Sequence, residues 1–439
     1  MTRGFVACSR LERNVGSLVT EANEAATGIV EPDRSETGAR MPLLDPLRRT
    51  MALGVVCTII VGVVTAGLGL DVLEESLRLS IAGGLPFFGL SHAAAFVVHV
   101  MALDDRARSR ALWSALATEA AVFAARAALG GEPWLGMGSG LGLYAVLARA
   151  AMLRDPVSRA HHARILFDMS VFPGFALFGQ PLLALTASLC PNVLDATVIQ
   201  VDEALGGQAG FYVAQLFAAL PVLAGLSGLV YTALPLGLAG LHGAELARDR
   251  DARPVVLASF FVIAAVGYFT YLAFPCVGPA FCLGPVLRLH IDANALASLV
   301  VDPDAPRNCV PSLHTSWALI IALRAGRFGR RAQIIGVAWL ALTLLATLGL
   351  GYHYVFDLVV ALPFAVTLLG WAEGLTQRPG RRWLAWSIVT AFALTLTLLS
   401  VFTLHDWLAR SPWLVRAAML ALVGLGLKLM QVRSELGAS

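Results

Sequence analysis

Apolar residues in this chain come in solid runs of about twenty, the length an α-helix needs to cross roughly 30 Å of hydrocarbon. The runs are 50–70, 81–103, 111–129, 134–153, 165–190, 213–242, 255–275, 312–326, 332–352, 354–374, 383–403 and 413–430. They do not alternate residue by residue, as the strands of a transmembrane barrel would. The pattern therefore predicts an all-α, polytopic helical membrane protein with about 12 transmembrane helices. Two runs stand apart. The run at 213–242 is longer than a bilayer requires, so it is expected to tilt or to break near Pro221 or Pro235. The run at 312–326 is short, and spans only if Arg324 and Arg327 snorkel to the surface on their long stems.

Composition agrees with that solvent. The 439 residues are 57% hydrophobic and only 14% charged, about half the charged fraction of a soluble domain. The net charge of +3 comes from scattered residues, and 31 of the 32 bases are Arg. No basic patch of the kind that holds nucleic acid stands out, so the expected partners are membrane lipids.

The arginines also carry topology, because loops rich in Lys and Arg stay cytoplasmic. Arg48 and Arg49, Arg106 to Arg110, Arg154 to Arg164, Arg248 to Arg253, Arg327 to Arg331 and Arg378 to Arg382 fall on alternate loops. The intervening loops carry Asp71, Glu74, Glu132, Asp195, Asp202, Glu203, Asp292, Asp302 and Asp304. This places both termini in the cytoplasm and makes the protein multi-pass in the cell (inner) membrane. Residues 1–45 are polar and read as a disordered cytoplasmic tail, with a true start at Met1 or Met41 left open.

Chemistry concentrates in two segments, Pro311-Ser312-Leu313-His314 and His353-Tyr354-Val355-Phe356-Asp357. A His and an Asp four residues apart share a helix face. Asp357 can then hold the Nδ1 proton of His353 and leave Nε2 as a nucleophile. From His314 the chain crosses the membrane, turns, and returns to deliver His353 to the same outer side. His314 is thus placed to act as general acid beside that nucleophile, facing the periplasm or exterior. Pro311 and Ser312 suit a helix start and an N-cap, where free backbone N–H groups bind phosphate oxygens. Together these residues point to attack on phosphorus at a lipid headgroup.

Other ionisable residues lie within apolar runs: His92, His99, Glu119, Arg126 and Asp168. Intramembrane charge suggests an ion pathway, but no inverted repeat or pair of broken helices at matching positions is evident. Internal pairing that locks the N-terminal helices is the expectation. Cys190, Cys276, Cys282 and Cys309 map to the outer side. A bridge from Cys309 to Cys276 or Cys282 and ordinary free thiols remain equal alternatives. The spacing does not resemble a zinc site, and neither metal nor cofactor is expected.

The two segments resemble the second and third motifs, Pro-Ser-x-His and His-x-x-x-Asp, of the type 2 phosphatidic acid phosphatase (PAP2) superfamily. Asn308 to Thr315, Gly351 to His353 and Asp357, with the stretch from Asp195 to Phe211 and the turn Tyr271 to Pro279, are most similar to its inositol phosphorylceramide synthase-like branch. The resemblance covers roughly 165–375. It implies a PAP2-like catalytic membrane domain with a six-helix core there, flanked by N-terminal membrane helices of unknown role (46–160) and two C-terminal ones (380–432). It implies catalytic roles for His353, His314 and Asp357 through a phosphohistidine. Ser312, Arg307 and Tyr271 would bind phosphate. Phospho-headgroup transfer, such as inositol phosphate from a phospholipid to a lipid alcohol, is the implied reaction. Hydrolysis of a lipid phosphate or polyprenyl diphosphate is the alternative, and a transporter or scaffold the non-enzymatic one. Two departures matter. The Ser-Arg pair that phosphatases of the superfamily carry before the second His is Ala346-Thr347 here, and the turn at Tyr271 to Pro279 has no Lys or Arg. Arg307 or Arg288 is left to supply positive charge.

Overall fold

The computed structural model describes residues 56, 86–103, 105–129, 156–249, 253–284, 290–291, 300–374, 381–403 and 411–437. The tail 1–45, the expected spans at 50–70 (apart from Val56) and 134–153, Arg288, Cys8 and Cys57 lie outside them.

The described elements are helices throughout, with no strand among them. They are α1 (Pro86–Met101), α2 (Asp105–Ala128), α3 (Pro156–Leu189), α4 (Asp195–Leu205), α5 (Ala209–Ala219), α6 (Pro221–Thr232), α7 (Leu234–Arg248), α8 (Val255–Ala273), α9 (Pro279–Cys282), α10 (Leu313–Ala325), α11 (Arg330–Gly349), α12 (Val355–Gly374), α13 (Arg381–Thr403) and α14 (Pro412–Gly437). Among them α8, α11, α12 and α14 are long and apolar enough to cross a membrane. The bent pair α5 and α6 raises that number to five if it counts as one span. These helices and α13 leave many large apolar side chains bare, including Val222, Leu229, Ile334, Ile335, Phe392 and Leu420. That is the surface expected against lipid tails.

The long run at 213–242 is broken at both of its prolines. α5 and α6 meet at Leu220-Pro221 with a bend of 118°, and α7 starts one residue after Ala233 with Pro235 in its first turn. A proline has no N–H to give the preceding turn and fits the opening of the next helix. α10 is 13 residues long, a rise of about 20 Å, which is less than the hydrocarbon thickness. Its end is not at the surface as the snorkelling expectation required. Arg324 is 3% exposed, because its guanidinium donates to Glu245 of α7 and to Glu373 of α12. Arg327 alone of the pair is exposed, at 57%.

Helices α10 and α11 form a tight hairpin joined by a short 3-10 turn at Gly326–Phe328. A Cβ on Gly336 would stand 2.8 Å from the Ala325 Cβ and 3.1 Å from the Ile321 carbonyl oxygen, so the missing side chain sets the helix separation. α12 packs on α8, α10, α13 and α14. The larger apolar core draws on α1, α3, α7, α8, α10 and α12, with Leu238, Ile263, Ala318, Ile320 and Ala365 almost fully buried. A second core lies under the opposite ends of α8 and α12. There Val198, Ile199, Val277, Val310, Phe356, Val360 and Leu422 close around the loops that carry the two motifs. Asp168, one of the intramembrane ionisable residues, bonds His242 of α7 at 3.1 Å with both side chains fully buried.

Candidate active site

Three loops meet at one end of the bundle, and two aspartates of α4 hold them. Asp195 accepts from the backbone N–H groups of Val277 (3.0 Å) and Gly278 (2.9 Å) and from the Tyr354 hydroxyl (2.8 Å). Asp202, two helical turns on, accepts from Val355 (2.9 Å) and Phe356 (3.1 Å). It therefore caps the N-terminus of α12 from another helix, satisfying donors that the first turn leaves free. Burial pushes both carboxyls above the usual range, Asp202 up to about 8. Gly278 sits at φ +95°, and a Cβ there would fall 2.3 Å from the Tyr352 carbonyl oxygen. Only glycine lets the 275–284 loop close on the segment carrying His353.

His353 follows directly on the C-terminal end of α11, where both the Tyr352 and His353 N–H groups turn back to the Thr347 carbonyl. Its Nδ1 lies 3.0 Å from the Cys309 carbonyl oxygen and 3.3 Å from Asp357 Oδ2. Both neighbours are acceptors, so Nδ1 carries the proton and Nε2 keeps its lone pair. Asp357 is fully buried. Its Oδ2 also accepts from the Tyr354 N–H (2.8 Å) and the Cys309 thiol (2.8 Å), whereas Oδ1 is buried with no hydrogen-bond partner. Burial, and then the Asp357 charge, push the Cys309 thiol well above its ordinary range, so it keeps its proton and donates.

His314 opens α10. Its ring stacks on Tyr231 of α6, with centroids 4.0 Å apart and planes 13° from parallel, and meets Trp317 edge-on at 5.7 Å. Tyr231 also faces Tyr352 at 5.7 Å, so one phenol ring links the two histidine segments, and the imidazoles lie within electrostatic reach of each other. Behind His314 an apolar cavity of about 100 Å³ is lined by Phe175, Tyr231, Leu238, Phe260 and Trp317.

The three residues expected at the phosphate have other partners. Ser312 is the N-cap of α10, accepting from the Thr315 N–H at 3.3 Å, and is fully buried. The Tyr271 hydroxyl donates to the Pro311 carbonyl at 3.2 Å and meets the Leu313 N–H, fastening the Pro-Ser-x-His turn to α8. Arg307 is 2% exposed, with Nε donating to the Cys190 carbonyl at 3.0 Å and Nη1 to the carbonyls of Asp302 and Ala305. Its backbone N–H donates to Thr186. Among the described residues no Arg or Lys hydrogen-bonds to His314, His353 or Asp357. Ala346 and Thr347, at the place of the Ser-Arg pair, are fully buried.

The sequence alone assigned no role at the site to Asp195, Asp202 or Tyr231, and to Cys309 only a candidate disulfide. For the aspartates a signal existed: two carboxylates seven residues apart lie on one helix face. Cys190, Cys276, Cys282 and Cys309 are free thiols, so neither proposed bridge is formed. Cys309 Sγ, His353 Nδ1 and an Asp357 oxygen instead converge, all within 4.8 Å of one another.

Residues 196–372 match a family model described as the PAP2 superfamily. The match takes in both histidine motifs and Asp202, and supports the superfamily for that segment without reaching the particular branch. A comparison with curated proteins found no match, and neither did a comparison with solved structures.

Proposed function

We propose that this chain is an integral membrane lipid phosphotransferase or phosphatase acting through a covalent phosphohistidine. His353 Nε2 attacks phosphorus, Asp357 and the Cys309 carbonyl hold the Nδ1 proton, and His314 protonates the departing alkoxide. His314 then takes a proton from the incoming alcohol or water, whose oxygen displaces His353. The finer reading is transfer of a phospho-headgroup, inositol phosphate among the candidates, from a phospholipid to a lipid alcohol at the outer leaflet. The distribution of arginines among the loops supports that leaflet. The absence of Lys and Arg from the usual motif positions favours transfer over simple phosphate hydrolysis.

One observation carries the reading: the Nδ1 side of His353 is bonded to two acceptors while no described residue bonds Nε2. The test uses purified full-length protein in mixed micelles containing phosphatidylinositol, with and without ceramide or diacylglycerol, and products identified by mass spectrometry. Wild type should yield a new phospho-lipid in the presence of the acceptor. His353→Ala should yield none and form no acid-labile phosphoenzyme. His314→Ala should lose about 10² to 10⁴ in rate, the usual worth of a general acid, yet still trap phosphoenzyme. Release of inorganic phosphate alone would move the assignment to hydrolase. Unchanged turnover in His353→Ala would end it.

A further inference from the structure

The hydrogen bonds around Asp357 are lopsided. Three donors, the Tyr354 N–H, the Cys309 thiol and the His353 Nδ1–H, converge on Oδ2. The other oxygen, Oδ1, is buried and bonded to nothing. A fully buried carboxylate oxygen without a partner is costly, and the carboxylate that carries it stands, through Oδ2, next to a thiol and an imidazole nitrogen. That donor set, one sulfur, one nitrogen and one oxygen, is the set that soft divalent cations select.

The spacing fits as well. With Zn–S near 2.3 Å and Zn–N and Zn–O near 2.1 Å, tetrahedral angles require about 3.6 Å between sulfur and nitrogen and about 3.4 Å between nitrogen and oxygen. Cys309 Sγ and His353 Nδ1 are 3.6 Å apart, and Nδ1 and Asp357 Oδ2 are 3.3 Å apart. The sulfur-to-Oδ2 separation of 2.8 Å is that of a hydrogen bond rather than of two ligands. A turn of the carboxylate that brings the unbonded Oδ1 toward the ion relieves it. The Tyr352 carbonyl oxygen, 3.4 Å from the same sulfur, is a candidate fourth ligand.

We propose that Cys309, His353 and Asp357 form a binding site for a zinc-class divalent cation, and that the bound ion switches the nucleophile off. Binding sends the thiol proton to solvent and moves the Nδ1 proton to Nε2 as the neutral ring changes tautomer, so one proton leaves as the ion enters. The ion draws electron density from the ring at Nδ1 and takes Asp357 away from it. Nε2 then holds the ring proton in place of its free lone pair, and the ring is pinned. The site for the ion follows from the geometry alone; its inhibitory effect rests on the function proposed above. Sequence spacing could not find this site, because Cys309 lies 44 residues from His353.

Cobalt(II) separates the two readings, since a cobalt–thiolate bond gives a charge-transfer band that does not depend on turnover. Full-length protein in detergent, titrated with Co²⁺, should bind one equivalent with that band, and Zn²⁺ should displace it. Cys309→Ser should lose the band and weaken binding by more than about a hundredfold, the upper end of what loss of an outer-shell partner costs. Cys282→Ser should keep it. His314→Ala should lose turnover but keep full cobalt binding, so the site survives even if the catalytic reading fails. Zn²⁺ should inhibit wild type, and a chelator should restore activity. If Cys309→Ser fails to fold, Zn²⁺ protection of Cys309 in wild type against alkylation, mapped by mass spectrometry, gives the same answer. No saturable binding, a band that survives Cys309→Ser, or Cys309 alkylated equally fast with and without Zn²⁺ would overturn the proposal.

Discussion

The two ends of the bundle handle buried charge in opposite ways. At the Arg324 end, acid meets base: Arg324 donates to Glu245 and Glu373, and Arg433 places Nε and Nη2 on the two Glu373 oxygens at 2.7 Å. These pairs tie α7, α10, α12 and α14 together with side chains alone. At the His353 end, Asp195, Asp202 and Asp357 have no Arg or Lys partner among the described residues. Backbone N–H groups of two segments, 277–278 and 354–356, stabilise them instead. Paired charges lock helices. Carboxylates held by backbone fix loops, and the side chains that complete their hydrogen bonding include the Tyr354 hydroxyl, the Cys309 thiol and the His353 imidazole. The first arrangement makes a clasp and the second a site.

Breaking the clasp should have the largest effect. Removing one partner of a buried ion pair leaves the other uncompensated, at a cost of about 3–5 kcal/mol. Arg324→Ala takes from Glu245 its arginine and leaves Glu373 to Arg433, so unfolding in detergent, followed by thermal or denaturant titration, should show a loss of that size. The fraction that remains folded should keep its KM, because no clasp residue touches the histidines. A loss below about 1 kcal/mol would mean that Arg433 and Arg327 carry the network without Arg324, and the two ends would then differ less than their geometry implies.

The same contrast explains what the sequence reveals. Helices are legible because apolar runs need no partner to be recognised, and the breaks at Pro221 and Pro235 follow from local chemistry. The His353-to-Asp357 proximity follows from four-residue spacing, and the Ser312 cap from its place before an apolar run. Partners distant in sequence are not legible. Arg324 reads as a snorkelling residue because Glu245 and Glu373 lie 79 and 49 positions away, and Arg307 reads as free because the carbonyl that holds its Nε belongs to Cys190, 117 positions away. Asp202 looks like an exposed loop acid until α12 docks its N-terminus on it. Of the ten runs that fall on described residues, four or five qualify as spans, since an apolar run can also be a short helix or a bent pair.

At the site end, pH is the sharper tool. The Asp202 carboxyl rises from its ordinary value to about 8 through burial, so the folded state binds its proton more tightly than the unfolded state does. Its contribution is fully present below about pH 4 and is lost as pH rises through 8. Between pH 6 and 8 the loss should approach 2–3 kcal/mol, at about 1.4 kcal/mol per pH unit for one proton. Asp202→Asn keeps a carbonyl for one of the two N–H groups of α12 and removes the titration, so its unfolding free energy should stay nearly flat over that interval. Equal slopes for wild type and variant would assign the pH dependence to another group and remove Asp202 from the comparison.

The smallest effect belongs to Ser312, where a cap and a phosphate contact make different predictions. Its Oγ accepts from the Thr315 N–H, and the Ser312 carbonyl accepts from the N–H and hydroxyl of Ser316. The residue is fully buried at the start of α10, one position before Leu313 and two before His314. Loss of such a cap costs about 1 kcal/mol, and Ser312→Ala should lower unfolding free energy by that amount. Turnover should fall only in proportion to the folded protein lost, because the acceptor side of the hydroxyl is already committed to the helix. A drop in turnover beyond that proportion, with KM raised, would show that the hydroxyl hydrogen reaches the phosphate, and that the site end holds its substrate with the same groups that hold its loops.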